Sequence, residues 1–303
     1  MKIAFWSEEE RTATTYHTAL VACASALRYP LCVAVVSGGY SGEELEKNFL
    51  CRENSSRQWF PEQMQGFAGR RKRGELSEDS SFLTGSQTED SLLAADQQEY
   101  FLTGGLDSLL GRPKEELTAP VIRDNMCQII KDSLYCLPGS RKKEQEWWQE
   151  DPLFAGLKQV LHEVEHCFDV MFVDCGSRKD DVARNLLSEA DVCVLNMNQE
   201  SELIGEYYRN PPKFQGKTFF LVGNYFENGL YTRKNLERIY RVDPDVVGAV
   251  PYHPGLQAAG KNGRAGTEIQ KYLGKNIRGK SVFFEQELIR TTRLILKLAG
   301  VIQ

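Results

Sequence analysis

Short apolar runs alternate with longer segments of helical spacing along most of the chain. Near-continuous apolar runs lie at residues 2–6, 31–36, 134–137, 170–173, 192–195, 218–222 and 246–250. Runs of this kind are typical of parallel strands that are covered on both faces. The spacing predicts helices at residues 15–27, 117–130, 254–261, 265–273 and 283–299. The pattern therefore predicts an α/β fold with a mainly parallel sheet of about seven strands and helices on both faces.

One region interrupts this alternation. Residues 52–98 are rich in Ser, Glu, Gln, Gly and Arg and contain the run GRRKRGELSEDSS, a composition typical of chain without a packed core. Acidic residues directly follow the basic ones of that run, so we interpret it as a solvated loop. Contact with an acidic partner or a phosphate backbone is the alternative. We expect a single α/β domain over residues 1–303, with a flexible insertion at about residues 52–98.

Composition narrows the setting in which the protein works. The formal net charge of -5 gives no general attraction to nucleic acid or anionic lipid, so nucleic acid is not expected as a partner. The eight cysteines include no C-x-x-C pair. The chain has neither a run of eighteen apolar residues nor the pattern of a secretory leader. We therefore expect a cytoplasmic protein without disulfides or a zinc ribbon.

The segment FDVMFVDCGSRKDDVARNLLSEADVCVLNMNQE, residues 168–200, contains the most informative motif. Its apolar strand places Asp174 at the carboxyl end, a Cys-Gly-Ser turn follows, and a helix leads to the next strand. In a P-loop nucleotidase, a carboxylate at this position holds the water shell of Mg²⁺. The alternative is a structural role, because strand-ending aspartates also cap helices.

Several motifs, taken in order, resemble the MinD/ParA group of deviant Walker A ATPases, and within it the TadZ/CpaE-type proteins associated with pilus assembly and polar positioning. The matching stretches are KIAFWS, the helix from Thr14, FDVMFVDCGS, EADVCVLNMNQE, TFFLVGNY and VVGAVPYHPGLQAA. The resemblance implies a three-layer P-loop NTPase-like fold and a site for ATP with Mg²⁺. The implied site residues are Thr14 and Asp174 for Mg²⁺, Thr14 and Thr15 for the nucleotide phosphates, and Asn224, Pro251 and Tyr252 for the adenine base.

The resemblance fails at the phosphate-binding loop. The family's Lys-Gly-Gly-Val-Gly-Lys-Thr-Thr aligns without gaps with EEERTATT, residues 8–15, so only Thr14 and Thr15 are retained. Glycines let backbone N–H groups turn toward the phosphates, and lysines neutralise phosphate charge. A carboxylate about 4 Å from a phosphate charge is repelled by roughly 4 kcal/mol at an effective dielectric constant near 20. Tight ATP binding is therefore not expected.

Two explanations remain open for three consecutive glutamates in this loop. In the first, Glu8, Glu9 or Glu10 supplies an anion to the N-terminus of the following helix and so mimics a phosphate. In the second, the loop has lost its function and has drifted to residues that favour solvent.

Two functions follow from the resemblance and from the altered loop. The first is a localisation or assembly factor with a degenerate ATP site, a pseudo-ATPase that acts through protein partners in pilus or secretion machinery. Homodimerisation and peripheral contact with the inner face of the cell membrane are compatible with it. The alternative is a working ATPase with an atypical loop, in which ATP switches the oligomeric state and Asp174 is catalytic. The altered loop favours the first.

Two further segments each allow two interpretations. HEVEH, residues 162–166, matches the H-E-x-x-H zinc pattern, with Glu189 as a third ligand. That ligand would have to reach around a strand, so no zinc is expected. The final helix at residues 283–299 has an apolar and a basic side, which suits either docking on the sheet or binding to a membrane. Core packing is the preferred interpretation.

Overall fold

The computed structural model describes residues 1–38, 43–49, 104–140, 151–199, 204–229, 231–273 and 282–303. The insertion expected at about residues 52–98 lies outside the described residues. The division of the chain into one domain and a flexible insertion therefore stays a prediction.

Eight strands in the described part of the chain form one sheet. They are β1 (Lys2–Trp6), β2 (Val33–Ser37), β3 (Cys127–Ile130), β4 (Leu134–Leu137), β5 (Val170–Asp174), β6 (Val192–Asn198), β7 (Lys217–Tyr225) and β8 (Val247–Pro251). Their order across the sheet is β3-β4-β2-β5-β1-β6-β7-β8. All neighbours are parallel except β3 and β4, which are antiparallel. The expected α/β class with a mainly parallel sheet is thus confirmed.

Helices cover both faces of this sheet. The described ones are α1 (Thr14–Arg28), α2 (Glu43–Lys47), α3 (Leu106–Leu109), α4 (Ala119–Asp124), α5 (Asp151–Cys167), α6 (Asp181–Ser188), α7 (Ile204–Arg209), α8 (Arg233–Tyr240), α9 (Pro254–Lys261), α10 (Ala265–Leu273) and α11 (Val282–Leu298). Helices α1, α10 and α11 pack over Ile3 and Phe5 of β1 on one face. On the other face, α5 and α6 pack over Ala4, and α7 and α8 pack over β6 and β7. Alternate residues of β1 therefore face opposite layers.

The prediction of a helix at residues 117–130 is wrong for its second half. Helix α4 ends at Asp124, and Cys127–Ile130 forms the antiparallel edge strand β3. A tight turn joins β3 to β4, with Asp132 in the left-handed region at φ 57°. Pairing with β4 buries Cys127 in the core. The spacing of so short an apolar segment does not separate a helix from a strand, so the sheet edge decided the outcome.

The C-terminal helix α11 covers the free edge of β8. The Thr291 hydroxyl donates to the Ala249 carbonyl at 2.8 Å and accepts from the Ala249 N–H at 2.9 Å. The Arg290 guanidinium donates to the Val247 carbonyl at 3.2 Å. Gly248 permits this approach, because a Cβ there would lie 2.6 Å from Thr291 Cγ2. These three edge groups of β8 are thereby paired within the chain, which disfavours addition of another strand at this edge.

The apolar side of α11 is buried as well. Phe284, Leu288 and Ile295 lie in the core beneath the sheet. Core packing of the final helix is therefore confirmed. Among the described residues, no helix combines the length and the apolar character that crossing a bilayer requires.

Replacing Thr291 with valine tests the edge contact. Thr291→Val keeps the shape of the side chain but leaves the buried N–H and carbonyl of Ala249 without their partner, so we expect a loss of about 1–3 kcal/mol in the free energy of unfolding. Urea titration measures it. Thr292→Val is the matched control, because the buried Thr292 hydroxyl has no hydrogen-bond partner among the described residues. The control should be neutral or stabilising, and equal losses in both variants would contradict the assignment.

Candidate functional site

The loop between β1 and α1, residues 7–13, lies at the carboxyl edge of the sheet. Its start is held by the Ser7 N–H, which donates to the Gly176 carbonyl at 2.9 Å. Arg11 and Ala13 both lie in the left-handed region, with φ angles of 60° and 57°. This region is costly for residues that carry a Cβ, by roughly 1–2 kcal/mol each. The loop therefore makes a tight turn without the glycines that would adopt it freely.

A buried hydrogen-bond network closes the loop from below. Asn196 of β6 donates through Nδ2 to the Thr12 carbonyl at 2.8 Å and to Thr14 Oγ1 at 3.1 Å. The Thr12 and Thr14 hydroxyls are 2.9 Å apart, and the Thr12 hydroxyl donates to the Glu9 carbonyl at 3.3 Å. Thr12, Thr14 and Asn196 are all buried. The hydroxyl that the resemblance assigns to Mg²⁺ is thus already bonded inside the protein.

His17 of α1 completes this network. Its Nδ1 lies 2.9 Å from Asn196 Oδ1. Because Asn196 Nδ2 is the donor to Thr12 and Thr14, Oδ1 must accept, which assigns the proton to Nδ1 of a neutral imidazole. Burial lowers the pKa of His17 to about 4, and the hydrogen bond with Asn196 opposes part of that shift. The ring fits only because residue 223 is glycine, since a Cβ there would lie 2.0 Å from His17 Cε1.

The three loop glutamates do not cap α1. Ala13 stands at the N-cap without a side-chain hydrogen bond, and the first turn of α1 contains no acidic residue. Glu8 instead accepts a hydrogen bond from the Tyr207 hydroxyl at 2.5 Å and lies 3.7 Å from Lys179 Nζ. Among the described residues, none of the three carboxylates accepts a hydrogen bond from the start of α1, so the structure does not contain the phosphate mimic considered from the sequence.

Asp174 lies where the sequence placed it, at the carboxyl end of β5. Its Oδ1 accepts from the Gly176 N–H at 3.0 Å, which shapes the turn after the strand. Phe5 of β1 and Ser37 of β2 are its partners in the sheet. The neighbouring Cys175 is fully buried, and burial raises the pKa of its thiol to about 12. Cys175 is therefore unsuited to act as a nucleophile.

The residues expected to contact adenine lie together on the far side of β6. Asn224, the last residue but one of β7, lies in the left-handed region at φ 49°, and its Nδ2 donates to Asn198 Oδ1 at 3.1 Å. Pro251 pairs with Tyr225 in the sheet. Tyr252 is 40% exposed and contacts Phe226, which is 53% exposed, with ring centroids 5.3 Å apart. Phe226 and Tyr252 therefore form an exposed aromatic pair beside Asn224 and the buried Pro251.

The sheet thus separates the expected residues into two groups. Thr14 and Thr15 begin α1 after the loop that follows β1, and Asp174 ends β5, the neighbour of β1. Asn224 and Pro251 lie at the carboxyl-terminal parts of β7 and β8, and Tyr252 follows β8. Four residues that form the hydrogen bonds and the ion pair around the loop were not predicted from the sequence, namely His17, Asn196, Tyr207 and Lys179. A polar residue inside the buried run VCVLNMN was the signal that could have identified Asn196.

The HEVEH histidines lie on the surface in the last turns of α5. His162 and His166 are exposed, with ring centroids 4.3 Å apart, and Nδ1 of His166 lies 2.7 Å from the His162 carbonyl. Glu189 pairs with Lys2 and Lys158 instead. Within the described ranges, no group of three or more His, Cys, Asp or Glu side chains is arranged to hold a metal ion.

No protein-family model matches the sequence, and a search of curated proteins finds no match. Solved structures do resemble the fold. A ParA family ATPase from Chlorobium tepidum has a TM-score of 0.58 at 12% identity, over 96% of this chain and 97% of that chain. A plasmid partition protein from Borrelia burgdorferi bound to AMPPNP has a TM-score of 0.55 at 13% identity, over 98% of both chains.

A chain of the MinC:MinD cell division protein complex from Aquifex aeolicus is similar too. It has a TM-score of 0.53 at 13% identity, over 98% of this chain and 95% of that chain. Identities this low establish a shared fold and no more. The chain has the fold of the ParA and MinD ATPases, which confirms the expected P-loop NTPase-like architecture.

The buried His17 predicts a stability that depends on pH. Its pKa is about 4 in the folded protein and 6.5 as a free side chain, so the unfolded chain binds the extra proton between these values. Stability from this group is complete above pH 6.5 and is lost as the pH falls toward 4. The loss is about 3 kcal/mol at 1.36 kcal/mol per pKa unit.

The measurement is urea unfolding at pH 7 and pH 4 for the wild type and His17→Gln. We expect the wild type to lose about 3 kcal/mol more than the variant over this range. His162→Gln, at an exposed position of α5, should keep the wild-type slope. Parallel slopes in the wild type and His17→Gln would contradict a neutral, buried His17.

Proposed function

We propose that this chain is a MinD/ParA-like protein with a degenerate ATP site, which acts as a localisation or assembly factor through protein contacts. The observation that carries the proposal is the closed β1–α1 loop. Asn196 and the threonine hydroxyls fill the space beneath it with internal hydrogen bonds. Three carboxylates stand where a P-loop has a lysine and glycines. A triphosphate with Mg²⁺ does not fit these residues.

Electrostatics supports the same conclusion. A phosphate-binding loop needs cations and unpaired N–H groups turned toward the anion. Here the loop carries Arg11 besides its three glutamates, Lys179 lies against Glu8, and the Glu9 N–H donates to Ser7 Oγ at 3.2 Å. An incoming phosphate would have to displace these contacts and face net negative charge. On this proposal the protein is a pseudo-ATPase.

The partner class follows from the resemblance and from one structural neighbour. The Aquifex aeolicus neighbour belongs to a MinC:MinD complex, which is a complex between proteins. The order of motifs resembles the TadZ/CpaE type, so we propose partners in pilus or secretion machinery, with homodimerisation as a second mode of assembly. The proposed location is the cytoplasm, with peripheral contact at the inner face of the cell membrane.

A working ATPase is the second candidate. The position of Asp174 beside β1 favours it, as does the AMPPNP bound by the Borrelia burgdorferi neighbour. Thr14 and Asp174 would then serve Mg²⁺, with Asp174 catalytic. The remaining assignments would be Thr15 at the phosphates and Asn224, Pro251 and Tyr252 at the base. This candidate requires the buried network to open before Thr14 becomes available.

Calorimetric titration with ATP and ADP in the presence of Mg²⁺ separates the two candidates. For the nucleotide-free wild type we expect no detectable heat, because the loop repels phosphate and its hydroxyls are already bonded. Micromolar binding that disappears in Asp174→Ala and Asn224→Ala would overturn the proposal in favour of the ATPase.

Imaging of a fluorescent fusion in the source cells adds a functional readout. A localisation factor independent of nucleotide should keep its position in Asp174→Asn, because asparagine preserves an acceptor for the Gly176 N–H while removing the charge that Mg²⁺ requires. Diffuse signal in a variant of unchanged melting temperature would support the ATPase. An even distribution of the wild type itself would count against localisation as the function.

A further inference from the structure

Glu8 makes a specific contact that its neighbours in the loop do not make. The Tyr207 hydroxyl of α7 donates to its Oε2 at 2.5 Å, a length typical of a hydrogen bond to a charged acceptor. Tyr207 is only 5% exposed, so the contact is partly shielded from water. Burial, followed by the hydrogen bond to Glu8, raises the pKa of Tyr207 above its ordinary value. The phenol therefore stays protonated and able to donate at neutral pH.

The same loop is joined to the turn after β5. The Ser7 N–H donates to the Gly176 carbonyl at 2.9 Å, and the Trp6 indole N–H donates to the Arg178 carbonyl at 2.7 Å. Lys179 lies 3.7 Å from the second Glu8 oxygen. That ion pair is exposed and contributes little by itself. Three segments consequently meet at Glu8, namely the β1–α1 loop, the turn after β5, and α7.

In nucleotide switches, a bound phosphate with its Mg²⁺ holds such segments in order, and they loosen when it leaves. Here groups of the protein itself make contacts between these segments. We propose that Glu8 is an internal latch, whose hydrogen bond from Tyr207 keeps the loop and α7 in one arrangement without nucleotide. The inference rests on the proposed function and deepens it, because the latch explains how a degenerate site remains ordered.

The latch assigns different roles to the three glutamates. Glu8 is held by Tyr207, whereas Glu10 is exposed and makes no hydrogen bond or ion pair among the described residues. Residues 8 and 10 should therefore respond differently to the same substitution. The pair Tyr207 and Tyr208 offers a second contrast, because the buried Tyr208 hydroxyl has no hydrogen-bond partner within the described part of the chain.

Hydrogen exchange read by mass spectrometry tests the latch on the full chain without nucleotide. In Tyr207→Phe and in Glu8→Gln we expect exchange in peptides covering residues 7–13 and 204–209 to become roughly tenfold faster, since a hydrogen bond to a charged group is lost or weakened. Peptides from β8 and α11 should be unchanged. Tyr208→Phe and Glu10→Gln are the matched controls, and both should exchange like the wild type.

The double variant Glu8→Gln/Tyr207→Phe gives the decisive comparison. If the two groups act as one latch, its exchange should be no faster than that of Tyr207→Phe alone. Unchanged exchange in both single variants, or full additivity, would overturn the latch. Titration of the same wild-type sample with ATP and Mg²⁺ keeps the proposals distinguishable. Micromolar binding of ATP would overturn the degenerate site. If ATP does not bind and the single variants exchange like the wild type, only the latch is overturned.

Discussion

The buried amide of Asn196 is the interaction on which the candidate site depends. Asn196 lies on β6 and makes hydrogen bonds to the loop carbonyl of Thr12, to the hydroxyl of Thr14 and to the ring of His17. A buried amide must satisfy both its donor and its acceptor atoms, because leaving either unpaired costs about 1–3 kcal/mol. The start of α1 and the carboxyl end of β6 are therefore held in a single relative position.

This constraint explains how the β1–α1 loop keeps a tight turn although it contains no glycine. The left-handed conformations of Arg11 and Ala13 are unfavourable locally, and they persist where surrounding contacts determine them. Internal hydrogen bonds take over the ordering that phosphate provides in a nucleotide-binding loop. The site shares its architecture with the ATPases, while its carboxylates and internal hydrogen bonds are unfavourable for a phosphate.

Much of the fold was predictable from the sequence, because strands buried on both faces leave a near-continuous apolar signal. All seven expected strands occur, and Asp174 ends β5 as expected. The edge strand β3 was missed, because the apolar spacing of so short a segment does not distinguish a strand from a helix. For the site, the sequence supplied Thr14 and Asp174 but not their partners. Asn196 and Tyr207 are distant in sequence from the loop, and no local pattern records such contacts.

The sequence by itself determined the alternation of strands and helices and the negative charge of the loop, because both are properties of residue order and type. Only the tertiary structure decided what that charge does. It brought Tyr207 against Glu8 and left Glu10 in solvent, although the two glutamates are chemically identical. It also buried His17 as a neutral ring against Gly223. The pKa of an ionisable group depends on its burial and on the groups that contact it, and both arise only when distant segments pack together.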